Sequence, residues 1–324
     1  MQTIANIFWN RSQSRLRAGW RLLIYIVFLL MITLGRDAFA SAFGSRIVPK
    51  TFAFLLFLAG GLALTWLMSR FIDRRSFADL GFHLNRKWWL DTGFGLALGA
   101  FLMTGVFLSM RAAGWVTVTG YASTSSDLPF SLAFLLKVVA LTAVAIIEEM
   151  AFRGYQMKNL AEGFAGQRFG ARGAILLALL FSSALFGLIH LANDNATAYS
   201  ALAVILAGLL IALPYLLTGE LATSIGLHLT WNLFVGPVFG FAVSGNPQTT
   251  HLFSIQQTGP SLWTGGSFGP EAGLISLAWS FIGCGLTISW VKWLRKRVAL
   301  YTPLATYTPR RNRAGKFVKK PVIN

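Results

Sequence analysis

The chain of 324 residues is 55% hydrophobic and only 12% charged, with a mean hydropathy of +0.60. Soluble domains carry roughly 25% charged residues, so the composition excludes an ordinary soluble domain and marks a polytopic, all-α membrane protein. The net charge of +17 does not point to nucleic acid: the basic residues cluster between apolar runs, as orienting charges do, and no interleaved aromatic or fold signature accompanies them.

Taken in chain order, the apolar runs predict about eight spans, near 20–40, 50–70, 88–110, 130–158, 172–192, 198–218, 220–243 and 271–293. Basic residues precede the first run, and Ala38-Phe39-Ala40 has the form of a signal cleavage site, but Arg36 and Asp37 interrupt it and the run is long, which favours a membrane anchor. Between the second and third runs, residues 70–87 mix charges with Phe71, Phe77, Leu80 and Phe82, as a short interfacial helix would. His83 in that stretch is expected to be solvated. Gly95 with Gly99, and Gly236 with Gly240, have the four-residue spacing of close helix contacts. Residues 244–270 form a polar outer loop, with His251 and Glu271 expected to be solvated. Cys284, the single cysteine, excludes an intrachain disulfide and a thiolate metal cluster and fits a small buried hydrophobe.

The side assignment follows the positive charges. Arg11, Arg15, Arg17 and Arg21 precede the first run. Arg70, Arg74, Arg75, Arg86 and Lys87 follow the second; Arg153, Lys158, Arg168 and Arg172 follow the fourth; Lys292 onward is a strongly basic tail. Eight spans with both termini in the cytoplasm is the arrangement these support, with Arg36, Arg46 and Lys50 running against it. The tail, residues 295–324, is expected to be disordered and to lie on anionic headgroups. No internal repeat is visible.

The candidate chemistry lies within the apolar runs. Glu148 and Glu149 are adjacent, and Arg153 follows the second by four residues, so Glu149 and Arg153 share a helix face. Glu148 is rotated about 100° away, leaving one carboxylate to neutralise the arginine and one free. His228 and Asn232 share a face by the same spacing, as do Phe186 and His190. Ionisable groups in a membrane interior are costly and mark function by default. A Glu–Arg pair alone could tie helices together or line a transport path, and a lone histidine is more often structural. A depth problem also arises: a fourth span beginning at Phe130 puts Glu148 ~27 Å along it, on the opposite side from His190, unless Lys137 snorkels outward and the helix runs past Lys158. Two histidines and a glutamate could hold zinc, but no His-Glu-x-x-His occurs, and a metal-free site is the preferred expectation.

The motifs Glu148-Glu149-Met-Ala-Phe-Arg153, Phe186-Gly-Leu-Ile-His190 and His228-Leu-Thr-Trp-Asn232 together resemble the CAAX protease and bacteriocin-processing family of intramembrane endopeptidases. Gly265-Gly266-Ser-Phe-Gly269-Pro-Glu271 resembles a glycine-rich element of many bacterial members. The resemblance covers a core at 130–243; the N-terminal spans at 1–129 and the outer loop and last span at 244–294 are read from the apolar runs and are not assigned by it. It implies Glu148 as general base on a water that His190 helps to hold, and His228 and Asn232 as oxyanion donors. Arg153 would hold Glu149, with Phe186 in support. The implied reaction is hydrolysis of a peptide bond in a membrane-associated protein or peptide, in a prokaryotic plasma membrane. The eukaryotic branch trims the last three residues of prenylated CAAX proteins. A transporter with a buried charged path and a non-catalytic immunity or scaffold protein are the alternatives; the first should show inverted repeats.

Overall fold

The computed structural model describes residues 6–44, 46–166 and 168–310. Seven of its helices are long and apolar enough to cross a membrane: α1 Ala18–Ser41, α2 Ile47–Ile72, α3 Arg86–Ala112, α4 Phe130–Phe164, α5 Gly170–Ala192, α6 Ala198–Thr218 and, after a shorter helix, the C-terminal Leu274–Arg295. Their outer faces carry large apolar side chains such as Phe28, Met31, Phe181, Phe281 and Trp293, all exposed, as residues bathed in lipid are.

The seventh expected span, near 220–243, is different in kind. Its helix, α7, covers Ala222–Leu233 and continues through a five-residue π turn, Phe234–Val238, that contains Pro237. All of α7 except Leu229 and Leu233 is buried. A helix enclosed by protein can be short and can carry Thr223, Ser224, His228, Thr230 and Asn232, because neighbours rather than lipid surround them. It still runs through the bundle. The N–H of Leu221 donates to the Gly81 carbonyl at one end, and Gly240 packs on the Phe253 carbonyl at the other. The C-terminal span, Leu274–Arg295, is therefore α8.

Glycine sets the crossing of α3 and α7. A β-carbon on Gly95 or Gly99 would collide with the Thr223 and Leu227 carbonyls, and one on Gly226 with the Thr92 carbonyl. The helices can approach this closely only without side chains at those positions. Gly236 and Gly240 serve otherwise: the first faces Val243 and Gln248, and the second turns the chain at φ +75°.

Two segments depart from expectation. Residues 70–87 form no interfacial helix; a π turn over Met68–Ile72 and a 3-10 turn over Phe77–Leu80 are followed directly by α3, capped by the Asn85 side chain on the Trp88 N–H at 3.0 Å. His83 there is exposed, as expected, with its Nδ1 2.8 Å from Glu220 Oε1. The outer loop is partly sheet: β1, Val116–Thr124, pairs antiparallel with β2, Thr250–Gln257, in the register Tyr121 to Phe253 and Thr124 to Thr250. His251 lies on β2 with Nε2 3.1 Å from Ser254 Oγ. Cys284 is free and half-buried on α8.

At the opposite end, a buried charge network joins distant parts of the chain. Glu162, at the end of α4, contacts Arg15 at 2.7 Å and Arg75 at 2.6 Å, while Arg21 pairs with Asp73 at 2.5 Å. The tail reaches the same place. The Tyr301 N–H donates to the Leu216 carbonyl, the Arg310 N–H to the Arg74 carbonyl, and the Tyr307 ring lies 3.5 Å beneath the Arg15 guanidinium. The tail expected to be disordered from residue 295 is thus packed as far as Arg310; the rest of that expectation lies outside the described residues. Both ends of the described chain sit at one end of the bundle.

Candidate active site

The depth problem is resolved by the length of α4. Its first nineteen residues are α-helical to Glu148, the next nine, Glu149–Met157, form a π-helical stretch, and Lys158–Phe164 complete it. At ~1.5 Å per residue Glu148 falls near the middle of a helix roughly 52 Å long. The helix does run past Lys158, as the sequence requires. Widening of a helix into π turns is concentrated at functional sites, and here it begins at the second glutamate.

The two glutamates have opposite surroundings. The Glu149 side chain is completely buried, whereas that of Glu148 keeps 26% of its surface exposed. Glu149 Oε1 accepts from Arg153 Nη1 at 3.1 Å and meets His228 Nδ1 at 2.8 Å. His228 Nε2 lies 3.8 Å from Glu148 Oε2. One imidazole from α7 thus lies between two carboxylates of α4. The second distance is too long for a direct hydrogen bond, and is the separation at which a bridging oxygen should be considered.

Phe186 explains the aromatic position one turn before His190. Its buried ring takes the Arg153 guanidinium on its face, 4.4 Å from the centroid, and lies 4.7 Å from the His190 ring and 6.4 Å from that of His228. A cation over a desolvated ring is held by the quadrupole. Arg153 is therefore fixed from two sides. His190 closes α5, its Nδ1 2.6 Å from the Phe186 carbonyl; the carbonyl can only accept, so Nδ1 carries the proton and Nε2 is left as the free nitrogen. Asn232 is buried on α7, and its amide hydrogen-bonds to none of the described residues. The structure brings Glu148, Glu149, Arg153, Phe186 and His228 into one cluster, with His190 across the Phe186 ring and Asn232 one turn after His228.

Sequence reasoning placed Glu271 in solvent, and the structure corrects this. Glu271 is half-buried, and its Oε2 accepts from the Ser244 N–H and from the Ser244 hydroxyl, the latter at 3.0 Å. Burial raises its carboxyl above the ordinary range, while Ser244 and the charges of His190 and His228 oppose that rise. The polar turn after His190 is drawn into the same assembly: Asn193 Nδ2 donates to the Ser244 carbonyl at 2.9 Å and Asn195 Nδ2 to the Gly245 carbonyl at 3.0 Å. Gly245 and Gly269 are required at positive φ, since a β-carbon on either would strike the Asp194 or Ala242 carbonyl. The glycine-rich run ending at Glu271 was the available signal.

One imidazole thus stands between two carboxylates inside a bundle of membrane-length helices. In comparison with known families, residues 129–234 match the model described as type II CAAX prenyl endopeptidase Rce1-like. The matched segment, a third of the chain, supports the resemblance to the CAAX protease and bacteriocin-processing family, and the function that the match suggests is that of an intramembrane protease. No curated protein and no solved structure matches the chain.

Proposed function

We propose that this protein is an intramembrane endopeptidase that hydrolyses a peptide bond in a membrane-associated protein or peptide, with a water activated by Glu148. The observation that carries the reading is His228 held between a fully buried carboxylate and a partly exposed one. Glu148 is the carboxylate that substrate and water can reach, and partial desolvation is the condition under which a glutamate becomes an effective base. Glu149, paired to Arg153, serves as the fixed partner of His228 Nδ1. With Nδ1 so engaged, a second proton on His228 resides on Nε2, available to the oxyanion that forms when water adds to the carbonyl. The unpartnered Asn232 amide supplies a further donor, and His190, through Nε2, helps to hold the water. As the bond breaks, the proton taken by Glu148 passes to the leaving amine.

We propose further that no metal takes part. Both nitrogens of His228 face carboxylates, and among the described residues no group of three or more His, Cys, Asp or Glu is arranged to hold a metal ion. A prokaryotic plasma membrane is the proposed location.

The test compares purified wild type with Glu148→Ala and His228→Ala on a library of membrane-tethered peptides, with and without chelator. Cleavage by wild type alone, indifferent to chelator, is expected. Cleavage that chelator abolishes and zinc restores would overturn the metal-free scheme, and undiminished cleavage by Glu148→Ala would overturn the role of Glu148.

A further inference from the structure

Beside the candidate active site lies a cavity of about 210 Å³ between α6 and α8, walled by Leu202, Leu206, Trp231, Leu274 and Leu277, with Glu271 as its charged member. We propose, building on the protease reading, that this cavity is the pocket for a substrate side chain with an apolar stem and a cationic head, lysine or arginine, and that Glu271 is the specificity-determining residue.

The cavity and the candidate active site share a wall. Ala272 lines the cavity and packs in one apolar cluster with Phe186, whose ring lies between Arg153 and His190, and Trp231, which also lines it, immediately precedes Asn232. A side chain in the cavity therefore belongs to a residue close to the scissile bond. The volume lies below the roughly 300 Å³ at which small-molecule sites begin, and suits one long side chain rather than a cofactor.

The chemistry of the wall selects the occupant. Both hydrogen bonds to Glu271 fall on Oε2, from the N–H and hydroxyl of Ser244, and Oε1 hydrogen-bonds to none of the described residues. A half-buried carboxyl oxygen beside apolar walls is costly to leave without a donor. Lysine and arginine carry their charge at the end of an apolar stem, so either can fill the leucine-lined space and deliver donors to Oε1. The carboxylate cannot swing away to meet a donor elsewhere, because Ser244 holds it and the Asn193 and Asn195 side chains hold Ser244 and Gly245. A lipid acyl chain, the competing occupant, would satisfy the leucines and leave the carboxyl oxygen without a partner.

The first test needs no proteolysis. Calorimetric titration of the detergent-solubilised full chain with n-butylammonium, the lysine side chain without its backbone, is compared with n-butanol. Wild type should bind the ammonium at least about tenfold more tightly, the order of effect of a charge-assisted bond. Glu271→Gln should bring the two ligands together, and Leu206→Trp, which fills the cavity, should remove both. Equal affinity for alcohol and ammonium in wild type, binding of neither, or an ammonium preference that survives Glu271→Gln would each overturn the proposal. On tethered peptides, wild type should favour lysine or arginine beside the scissile bond over norleucine in kcat/KM, and Glu271→Gln should bring that ratio close to one. Cleavage by wild type without the preference overturns the pocket. Absence of cleavage in every protein overturns the protease reading and leaves the titration to decide the pocket.

Discussion

Glu148 and Glu149 are neighbours in sequence with different work, and the difference comes from which face of α4 each occupies. Glu148→Gln keeps the volume and removes the base. Cleavage should fall about 10²–10⁴-fold, the usual worth of a positioned general base, with the thermal midpoint unchanged, because the side chain is only partly buried and 3.8 Å from its nearest ionic partner. Glu149→Gln removes the partner of the buried Arg153 and of His228 Nδ1. Breaking a buried ion pair from one side costs about 3–5 kcal/mol, so this variant should lose stability as well as activity in thermal unfolding. Glu271 gives a pH dependence of defined sign. Its carboxyl is raised by burial against the opposing influence of Ser244, His190 and His228, so the folded chain binds that proton more tightly than the unfolded chain. The resulting stability is complete below the ordinary glutamate value and is lost as pH rises through the raised one. Glu271→Gln, which has no proton to lose, should therefore flatten the fall in unfolding temperature as pH rises above the ordinary glutamate value; an unchanged profile would show that the group does not contribute.

Among elements, the α3–α7 crossing carries the site, because α7 supplies His228 and Asn232 while α3 fixes its distance from the bundle axis. Gly99→Leu should abolish the folded protein, since the side chain would have to enter the Leu227 carbonyl and the Thr230 hydroxyl; overpacking of a tight contact costs about 1–3 kcal/mol or more. Gly93→Ala, two turns away on the same helix with open space around it, should be neutral or slightly stabilising by helix propensity. Yield of monodisperse protein and its melting temperature measure both. The same crossing shows how far the sequence could be read. Apolar runs report one-dimensional exposure to lipid, so the spans were legible, and four-residue spacings report helix faces, so Glu149 with Arg153 and His228 with Asn232 were too. Gly95 and Gly99 carried the contact signal, but Gly236 and Gly240 carry the same spacing and turn a loop instead, because the pattern does not say what lies opposite. The interfacial helix expected over 70–87 failed for a related reason. Asp73 and Arg75 are drawn inward to Arg21 and Glu162, partners remote in sequence, and their charges were mistaken for a solvated face. Glu271 was missed likewise, since only the fold brings Ser244 to it.

For the whole molecule, the network around Glu162 decides whether the first helices, the α2–α3 loop and the tail behave as one body with the candidate catalytic helix. Arg15, Arg21 and Arg75 converge there on Glu162 and Asp73, all almost completely buried. Asp79 adds a third, partly exposed carboxylate, 3.1 Å from Arg75 and 3.6 Å from Lys158, so four cations face three carboxylates and none of these anions is spare. Glu162→Gln would strip the shared partner from Arg15 and Arg75 together, and an uncompensated buried charge costs about 3–5 kcal/mol. An exposed pair sets the contrast: Asp37→Asn, which breaks the contact with Arg36 at a half-exposed side chain, should shift stability by less than about 1 kcal/mol. Because Tyr307 lies on Arg15 and Arg310 is bonded to the Arg74 carbonyl, the Glu162→Gln variant should also be cut by trypsin after Arg310 faster than wild type. Glu148 sits roughly 21 Å back along the same helix, beyond direct contact with the network, so cleavage per folded molecule should be retained. A variant that melts early, exposes its tail and still cleaves would identify the network as the fastening between chain ends and bundle. A fall in cleavage at unchanged stability would instead mean that the charges at the end of α4 set the register in which Glu148 meets His228.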